Sequence, residues 1–314
     1  MKALVADFGG SHATCGLVED DRLLDPEGID VGDAHSIRAV LPAVAEAFRR
    51  LLAKNGLAVA SCEGIVFGLP SVVDARTGAV LDSRAKYEDS VGFDLNKWAR
   101  EQFGIRLRAE NDARMALLGE SYAGAGKGVS NLVMITLGTG IGGTTMIEGK
   151  LLRGKHSQAG CLGGHMPVLF TGRRCMCGAI GCAEAEGSSW ALPLIAKDWP
   201  GISQSRLATI VAKLDFAQLF KTADEGDTVA REIRDRCLTV WSVAAIALIH
   251  AYDPEVLLLG GGVLKSEKAI LPFVQRYLDE HAWTAWGKVQ VRAAELGNNA
   301  ALLGAVPLLQ EKFG

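Results

Sequence analysis

The feature that most narrows the fold is a repeat. Each half of the chain carries a short apolar strand, a glycine-rich turn and a second strand of small and β-branched residues. In the first half, residues 3–6 run into Asp7-Phe8-Gly9-Gly10-Ser11-His12, and residues 14–18 follow as the return strand. In the second half, residues 132–136 run into Leu137-Gly138-Thr139-Gly140-Ile141-Gly142-Gly143, and residues 143–147 return. A chain that builds one hairpin twice, each time followed by helices and further strands, is expected to form two α/β lobes. Its 314 residues also exceed what one hydrophobic core usually serves. The two turns are expected to face each other across a cleft, which suits a ligand held by both lobes.

The remaining periodicity fills in those lobes. An acidic turn at Glu19-Asp20-Asp21 leads to a third short strand. Residues 36–54 place Ile37, Val40, Leu41, Val44, Phe48 and Leu51 on one helical face, with Asn55-Gly56 as the stop. Pro42 is expected in or near the first turn of that helix, where a missing N–H costs least. A strand over 64–67, a helix over 94–103 stopped by Gly104, a strand over 106–109 and a helix over 112–122 complete the first half. The second half continues with a helix over 228–250, a buried strand over 256–259, the run Gly260-Gly261-Gly262 and a C-terminal helix from about Asn299.

Charge excludes several functions. Thirty-three basic residues stand against thirty-six acidic ones, and the tightest basic pairs, Arg49-Arg50 and Arg173-Arg174, are too small for a nucleic-acid footprint. The apolar start of the chain meets Asp7 too soon for a secretory leader, and the uncharged run 237–250 is short of the roughly 20 residues a bilayer span needs. No nucleic-acid or membrane partner is expected, and the expected location is the cytoplasm.

Seven cysteines are present, and Cys175, Cys177 and Cys182 crowd into one short segment just after His165. One imidazole and three thiolates with no open position describe a structural Zn²⁺ site in a reducing compartment. Gly178 and Gly181 permit the turns that would bring Cys182 back to the same ion. Cys161 would be a fifth ligand and reads as core or as a neighbour of the site.

Three glycine runs are candidate ligand sites, the first two for phosphate. In Asp7-Phe8-Gly9-Gly10-Ser11, bare backbone N–H groups either approach an anion or simply make a tight hairpin, and Asp7 stands where it could hold a Mg²⁺ shell. Gly138-Thr139-Gly140-Ile141-Gly142-Gly143 matches a dinucleotide fingerprint literally, but Thr144-Thr145-Met146-Ile147 reads as a strand where that fingerprint requires a helix. A hairpin with the Thr136 and Thr139 hydroxyls remains as a phosphate cradle. Gly260, Gly261 and Gly262, between a strand and a helix, either let a flat ring lie close or allow tight packing. The candidate base is in Glu110-Asn111-Asp112, where a strand gives way to a helix: such a residue is an N-cap by default, yet a strand-end carboxylate can also accept a hydroxyl proton. Glu184, just past the last cysteine, is either placed rigidly by the metal loop or a solvated charge.

These residues together resemble the ROK sugar kinases, a family of repressors, open reading frames and kinases, over essentially the whole chain. Asp7-x-Gly-Gly is similar to that family's first phosphate motif, Glu110-Asn111-Asp112 to its catalytic motif, and 137–143 to its second phosphate loop. Gly164-His165 with Cys175-x-Cys177-Gly-x-x-Gly-Cys182-x-Glu184 resembles its zinc signature, and Gly260-Gly261-Gly262 its adenosine-side glycines.

The resemblance implies a two-lobed actin/hexokinase-like, ribonuclease H-like fold with a central cleft and a zinc loop over 165–184. It implies a smaller lobe of residues 1–112 with 299–314 and a larger lobe of 113–298. Asp112 would be the base for phosphorylation of a hexose by Mg-ATP; Asn111, Asp112, His165 and Glu184 would hold the sugar. Asp7, Gly9, Gly10, Ser11, Thr136, Gly138, Thr139, Gly140 and Gly260–Gly262 would hold ATP, and His165, Cys175, Cys177 and Cys182 the zinc. A homodimer or homotetramer is implied as well.

Where the family usually reads Gly-Glu-x-Gly-His, this chain has Cys161-Leu162-Gly163-Gly164-His165, and Leu162 cannot accept a hydroxyl hydrogen bond. Ser11-His12 replaces a more common Thr-Lys, and Gly68-Leu69-Pro70-Ser71 replaces a Gly-x-Pro-Gly turn. The alternative role is a catalytically silent sugar sensor; with a strand expected from residue 3, the helix-turn-helix of the family's repressors is not expected here.

Overall fold

The apolar segments that open the chain pair as a meander: β1 (Lys2–Phe8), β2 (His12–Glu19) and β3 (Arg22–Asp30). The computed structural model describes residues 1–9, 12–32, 36–84 and 86–312. Two units separate in it, one comprising Met1–Gly128, Arg153–Cys161 and Asn298–Gly314, the other Val129–Leu152 and Leu162–Gly297.

In the first unit, β4 (Gly64–Leu69) and β7 (Leu107–Asn111) extend the meander, giving the sheet order β3-β2-β1-β4-β7. β1 to β3 run antiparallel, whereas β4 lies parallel to β1 and β7 parallel to β4. A small hairpin of β5 (Val72–Asp74) and β6 (Ala79–Asp82) stands apart. Helix α1 (Ile37–Lys54) covers one face, burying Leu4, Ala6 and Phe8 of β1 with Ile65, Phe67 and Leu69 of β4. The alternate residues Ala3, Val5 and Val66 are also fully buried. Strands shielded on both faces read as continuous apolar runs, which is how β1 and β4 appear in the sequence.

Helix α1 starts where its sequence says it should, with the Ser36 hydroxyl accepting the Ala39 N–H at 3.2 Å. Pro42, however, is the helix's sixth residue rather than part of its first turn. It is exposed, so the carbonyl it leaves unpaired faces water rather than the core. α2 (Leu95–Phe103) is capped by Asp94 and ends at Gly104 in the left-handed region, and α3 (Asp112–Ala123) follows β7 directly. The C-terminal helix predicted from about Asn299 is in fact two, Ala300–Leu303 and Ala305–Gln310.

The second unit repeats the strand order. β8 (Leu132–Leu137), β9 (Ile141–Ile147) and β10 (Lys150–Leu151) are antiparallel, and β11 (Val256–Gly260) and β12 (Gln290–Ala293) add in parallel, giving β10-β9-β8-β11-β12. The glycine-rich stretch between β8 and β9 is therefore a hairpin turn and does not open a helix. After two short helices, α4 (Ala183–Gly187) and α5 (Leu192–Lys197), come α6 (Phe216–Asp224) and the long α7 (Thr228–Tyr252), whose Trp241, Leu248 and Ile249 build the core with Val133, Ile135 and Leu257. α8 (Glu267–His281) packs Ile270, Val274 and Leu278 into the same core. α9 (Ala300–Leu303) and α10 (Ala305–Gln310) return the chain to the first unit. Among the described residues no helix is long and apolar enough to cross a membrane.

Candidate functional site

In the first unit the carboxylates stand at the ends of β1 and β7, the two strands that flank β4. β1 and β4 pair so that Asp7 lies opposite Gly68, and β4 and β7 pair Gly68 with Glu110 and Leu69 with Asn111. A Cβ at Gly68 would stand 2.8 Å from Asp7 Oδ1, so glycine there makes room for the carboxylate. Asp7 Oδ1 is buried without a hydrogen-bond partner among the described residues. Burial, reinforced by the charge of Asp112, pushes the Asp7 carboxyl up to about 8. After it the Gly9 N–H donates to the His12 carbonyl at 2.9 Å, and the Tyr87 hydroxyl donates to the Gly9 carbonyl at 2.9 Å. Gly10 and Ser11 lie outside the described residues.

At the end of β7 the cap and the candidate base prove to be different residues. Asn111 is the N-cap of α3, its Oδ1 accepting the Arg114 N–H at 3.2 Å, while its Nδ2 donates to the Ser71 carbonyl at 3.3 Å and to Asp112 Oδ1 at 3.1 Å. Asp112 is the first helical residue, and the same Oδ1 accepts the Ala113 N–H at 2.8 Å. Desolvation raises the Asp112 carboxyl to about 6, opposed by the Ala113 N–H, the charge of Lys86 and the Asn111 amide.

Sequence reasoning missed what holds this pair in place. Glu110 is fully buried, and its Oε1 accepts the Asn111 N–H at 2.8 Å and Arg114 Nη1 at 3.2 Å. Its Oε2 accepts Arg153 Nε at 2.7 Å, and Arg153 closes a two-pronged pair on Glu311 at 2.6 and 2.7 Å. Arg114, equally buried, also donates to the Ser157 carbonyl at 3.0 Å. The Glu110–Arg114 spacing on a helix start is a readable signal. Arg153 and Glu311 are distant in sequence and carry none.

In the second unit the candidate phosphate residues converge. Thr136 pairs with Gly142 across the β8–β9 hairpin and with Gly260 of β11, so the Gly138–Gly140 turn and the Gly260–Gly262 run share one end of one sheet. The turn is closed by the Gly138 N–H on the Gly140 carbonyl at 3.0 Å, and Thr139 at its tip is exposed. Glu184, on α4, accepts the Ile141 N–H through Oε2 at 3.1 Å. A Cβ on Gly140 would come within 2.5 Å of that oxygen.

The structure also gathers His165, Cys175, Cys177 and Cys182, whose donor atoms all lie within 4.8 Å of one another. His165 Nδ1 is 3.5 Å from Cys175 Sγ, and Cys177 and Cys182 sulfurs are 3.6 Å apart. Zinc bonds of about 2.0–2.3 Å place tetrahedral donors about 3.5 Å apart, so the donor set and spacing suit that ion. Gly178 and Gly181 both adopt positive φ, at 98° and 68°, and make the turns of the loop. Cys161 is outside the group, its thiol directed at the Ser157 and Gln158 carbonyls. Leu162 is 39% exposed and bridges to Gly143 through its backbone.

The model of the ROK family matches residues 4–312. The chain belongs to the ROK family. Among its ROK relatives, a glucokinase of Thermotoga maritima is 31% identical over all of this chain and 99% of that protein. The ROK hexokinase of Thermus thermophilus superposes with a TM-score of 0.80 at 30% identity, covering 98% of this chain and 97% of that one. A ROK family glucokinase of Streptomyces griseus, solved with glucose and AMPPNP, gives 0.79 at 26% identity over 99% and 100% of the two chains.

Proposed function

We propose that this chain is a sugar kinase that transfers the γ-phosphoryl group of ATP to a hydroxyl of a hexose or hexose derivative, with Asp112 as the general base. The observation that carries the reading is the state of the Asp112 carboxylate: at a strand end, desolvated, held by the Ala113 N–H and the Asn111 amide, and drawn up to about 6. A base of that strength is ionised at neutral pH and still accepts a proton readily. The names of the relatives, glucokinase and hexokinase, support the same chemistry.

In this reading Asp112 takes the hydroxyl proton as the sugar oxygen attacks the γ-phosphorus, and the bond to the bridging oxygen of ADP breaks. Asn111 orients Asp112 by donating from Nδ2 to the Asp112 Oδ1, and the second lone pair of its own Oδ1 is offered to a neighbouring hydroxyl. The first turn at Gly9 and the Gly138–Gly140 turn, with the Thr136 and Thr139 hydroxyls, bind phosphate oxygens, and Gly260–Gly262 leave room for the adenosine. Gly10 and Ser11 of the same sequence motif would bind ATP as well. Mg²⁺, when bound with ATP, neutralises phosphate charge, and Asp7, whose buried Oδ1 has no hydrogen-bond partner among the described residues, is the group suited to its shell.

Zn²⁺ would be held by His165 Nδ1 and the three thiolates, ordering the loop without touching the reacting atoms. That leaves His165 Nε2 and Glu184 Oε1 to receive sugar hydroxyls. Leu162 offers no acceptor, so the sugar preferred here need not present the hydroxyl pattern of glucose.

The test is ADP release by zinc-loaded protein with Mg-ATP across hexoses, N-acetylhexosamines, ketoses and deoxy sugars, against a no-sugar blank. Sugar-dependent release supports the kinase. Release that stays at the blank for every sugar, from protein that binds ATP, would sink it in favour of a silent sensor.

A further inference from the structure

The turn of the β8–β9 hairpin is tied down from one direction. The Ser189 N–H donates to the Gly138 carbonyl at 3.1 Å, the Trp190 N–H to the Thr139 carbonyl at 3.2 Å, and Glu184 Oε2 accepts the Ile141 N–H at 3.1 Å. All three tethers come from the short segment that follows Cys182. They fall on three of the four residues of the turn, the fourth, Gly140, being the one whose missing side chain admits Glu184.

Both ends of that segment are rooted in the cysteine loop. At its start, Cys182 bridges to Pro167, its thiol points at the His165 carbonyl at 3.2 Å, and the Ala183 N–H donates to the Met166 carbonyl at 3.0 Å. At its end, Trp190 packs against the buried group of Cys175, Cys182 and Ala185. The loop from Gly163 to Gly181 is irregular backbone with isolated bridges and no strand or α-helix of its own, so an ion cross-linking its four donors would add order that no ladder supplies.

We propose that residues 184–190 form a strap by which the His165/Cys175/Cys177/Cys182 centre sets the conformation of the 138–141 turn, with Glu184 a positioning residue for it, so that metal and nucleotide bind with positive coupling. The nucleotide part rests on the kinase reading above; the strap itself does not. By linkage the coupling is reciprocal: Zn²⁺ tightens nucleotide binding by the same factor that nucleotide tightens Zn²⁺. Glu184 then has two separable duties, Oε2 on the turn and Oε1 toward the sugar.

The separation is testable because a glutamine oxygen still accepts the Ile141 N–H while an alanine does not. In the zinc-loaded full chain, affinity for a non-hydrolysable ATP analogue is measured by calorimetry and amide exchange is followed over 138–141, with metal content and circular dichroism as checks on folding. Glu184→Ala is expected to weaken the analogue roughly ten- to hundredfold and to lose exchange protection in the turn, while Glu184→Gln keeps both within about threefold and raises only the sugar KM. Titrating Zn²⁺ into chelator-treated parent protein restores protection and analogue affinity together.

Unchanged protection of 138–141 in Glu184→Ala and in metal-free parent overturns the strap whatever the nucleotide does. Protection that falls while the parent binds no analogue overturns the nucleotide coupling and the kinase reading but leaves the strap standing.

Discussion

Asn111 Nδ2 lies 3.1 Å from Asp112 Oδ1, and the same asparagine, through Oδ1, caps the helix that Asp112 begins. The cap and the carboxylate are thus adjacent residues with separate tasks. Replacing Asp112 by Asn should lower kcat by roughly 10²- to 10⁴-fold without lowering the melting temperature at neutral pH. Asn111→Ala should instead cost about 1 kcal/mol of stability through the lost cap, in addition to its effect on turnover. ADP release and thermal melting on the two variants check both; an active Asp112→Asn enzyme removes Asp112 from the role of base.

The raised proton affinity of Asp112 has a kinetic sign. Because the base must be ionised, kcat/KM should rise through about pH 6 with the slope of one proton and level off above it. A profile flat from pH 5 to 8 on a slow-binding-free substrate excludes this assignment.

The same shift has a thermodynamic sign. A carboxyl whose folded value lies above the unfolded one binds its proton more tightly when folded, so its contribution to stability falls as pH rises from the ordinary carboxylate range, about 4, through 6. Asp112→Asn should flatten that part of the stability curve. Urea midpoints of parent and variant at several pH values, with metal content held constant, provide the comparison.

Glu110 carries two arginines in a site from which water is excluded. Removing its charge leaves Arg114 buried without its carboxylate, which costs roughly 3–5 kcal/mol. Glu110→Ala should therefore unfold in distinctly less urea than the parent, and the Asn111 N–H, which Glu110 also holds, should lose exchange protection. Equal urea midpoints would falsify a structural role for this network.

If the proposed zinc centre is formed, removing Cys182 from it by Cys182→Ser is expected to lower the zinc content from one per chain to near zero and the melting temperature by several degrees, since zinc binding to such a loop is itself folding free energy. Metal analysis beside calorimetry checks it.

Much of the architecture is local and was legible in residue order. Alternation and glycine placement in 1–20 and 132–147 mark two hairpins, and the 3.6-residue apolar period marks α1. The β-branched run after Gly143 rules out a dinucleotide fold because side chains of that kind favour a strand. Pro42 falls in the second turn of α1 rather than in or near the first, off the apolar face that the period marks, where water can take the carbonyl it leaves unpaired.

Contacts between distant residues could not be read this way, because pairing partners far apart in sequence leave no period behind. Residue order supplied the chemistry available: three thiols and an imidazole in one loop, a carboxylate at a strand end, two glycine turns. Only the folded chain decided that Glu110 would meet Arg153 and Glu311, that Gly68 would make room for Asp7, and that residues after Cys182 would reach back to the 138–141 turn. The reason is that burial, which desolvates Asp7 and Asp112 and gives each its unusual proton affinity, is a property of what surrounds a residue in space and not of what precedes it in the chain.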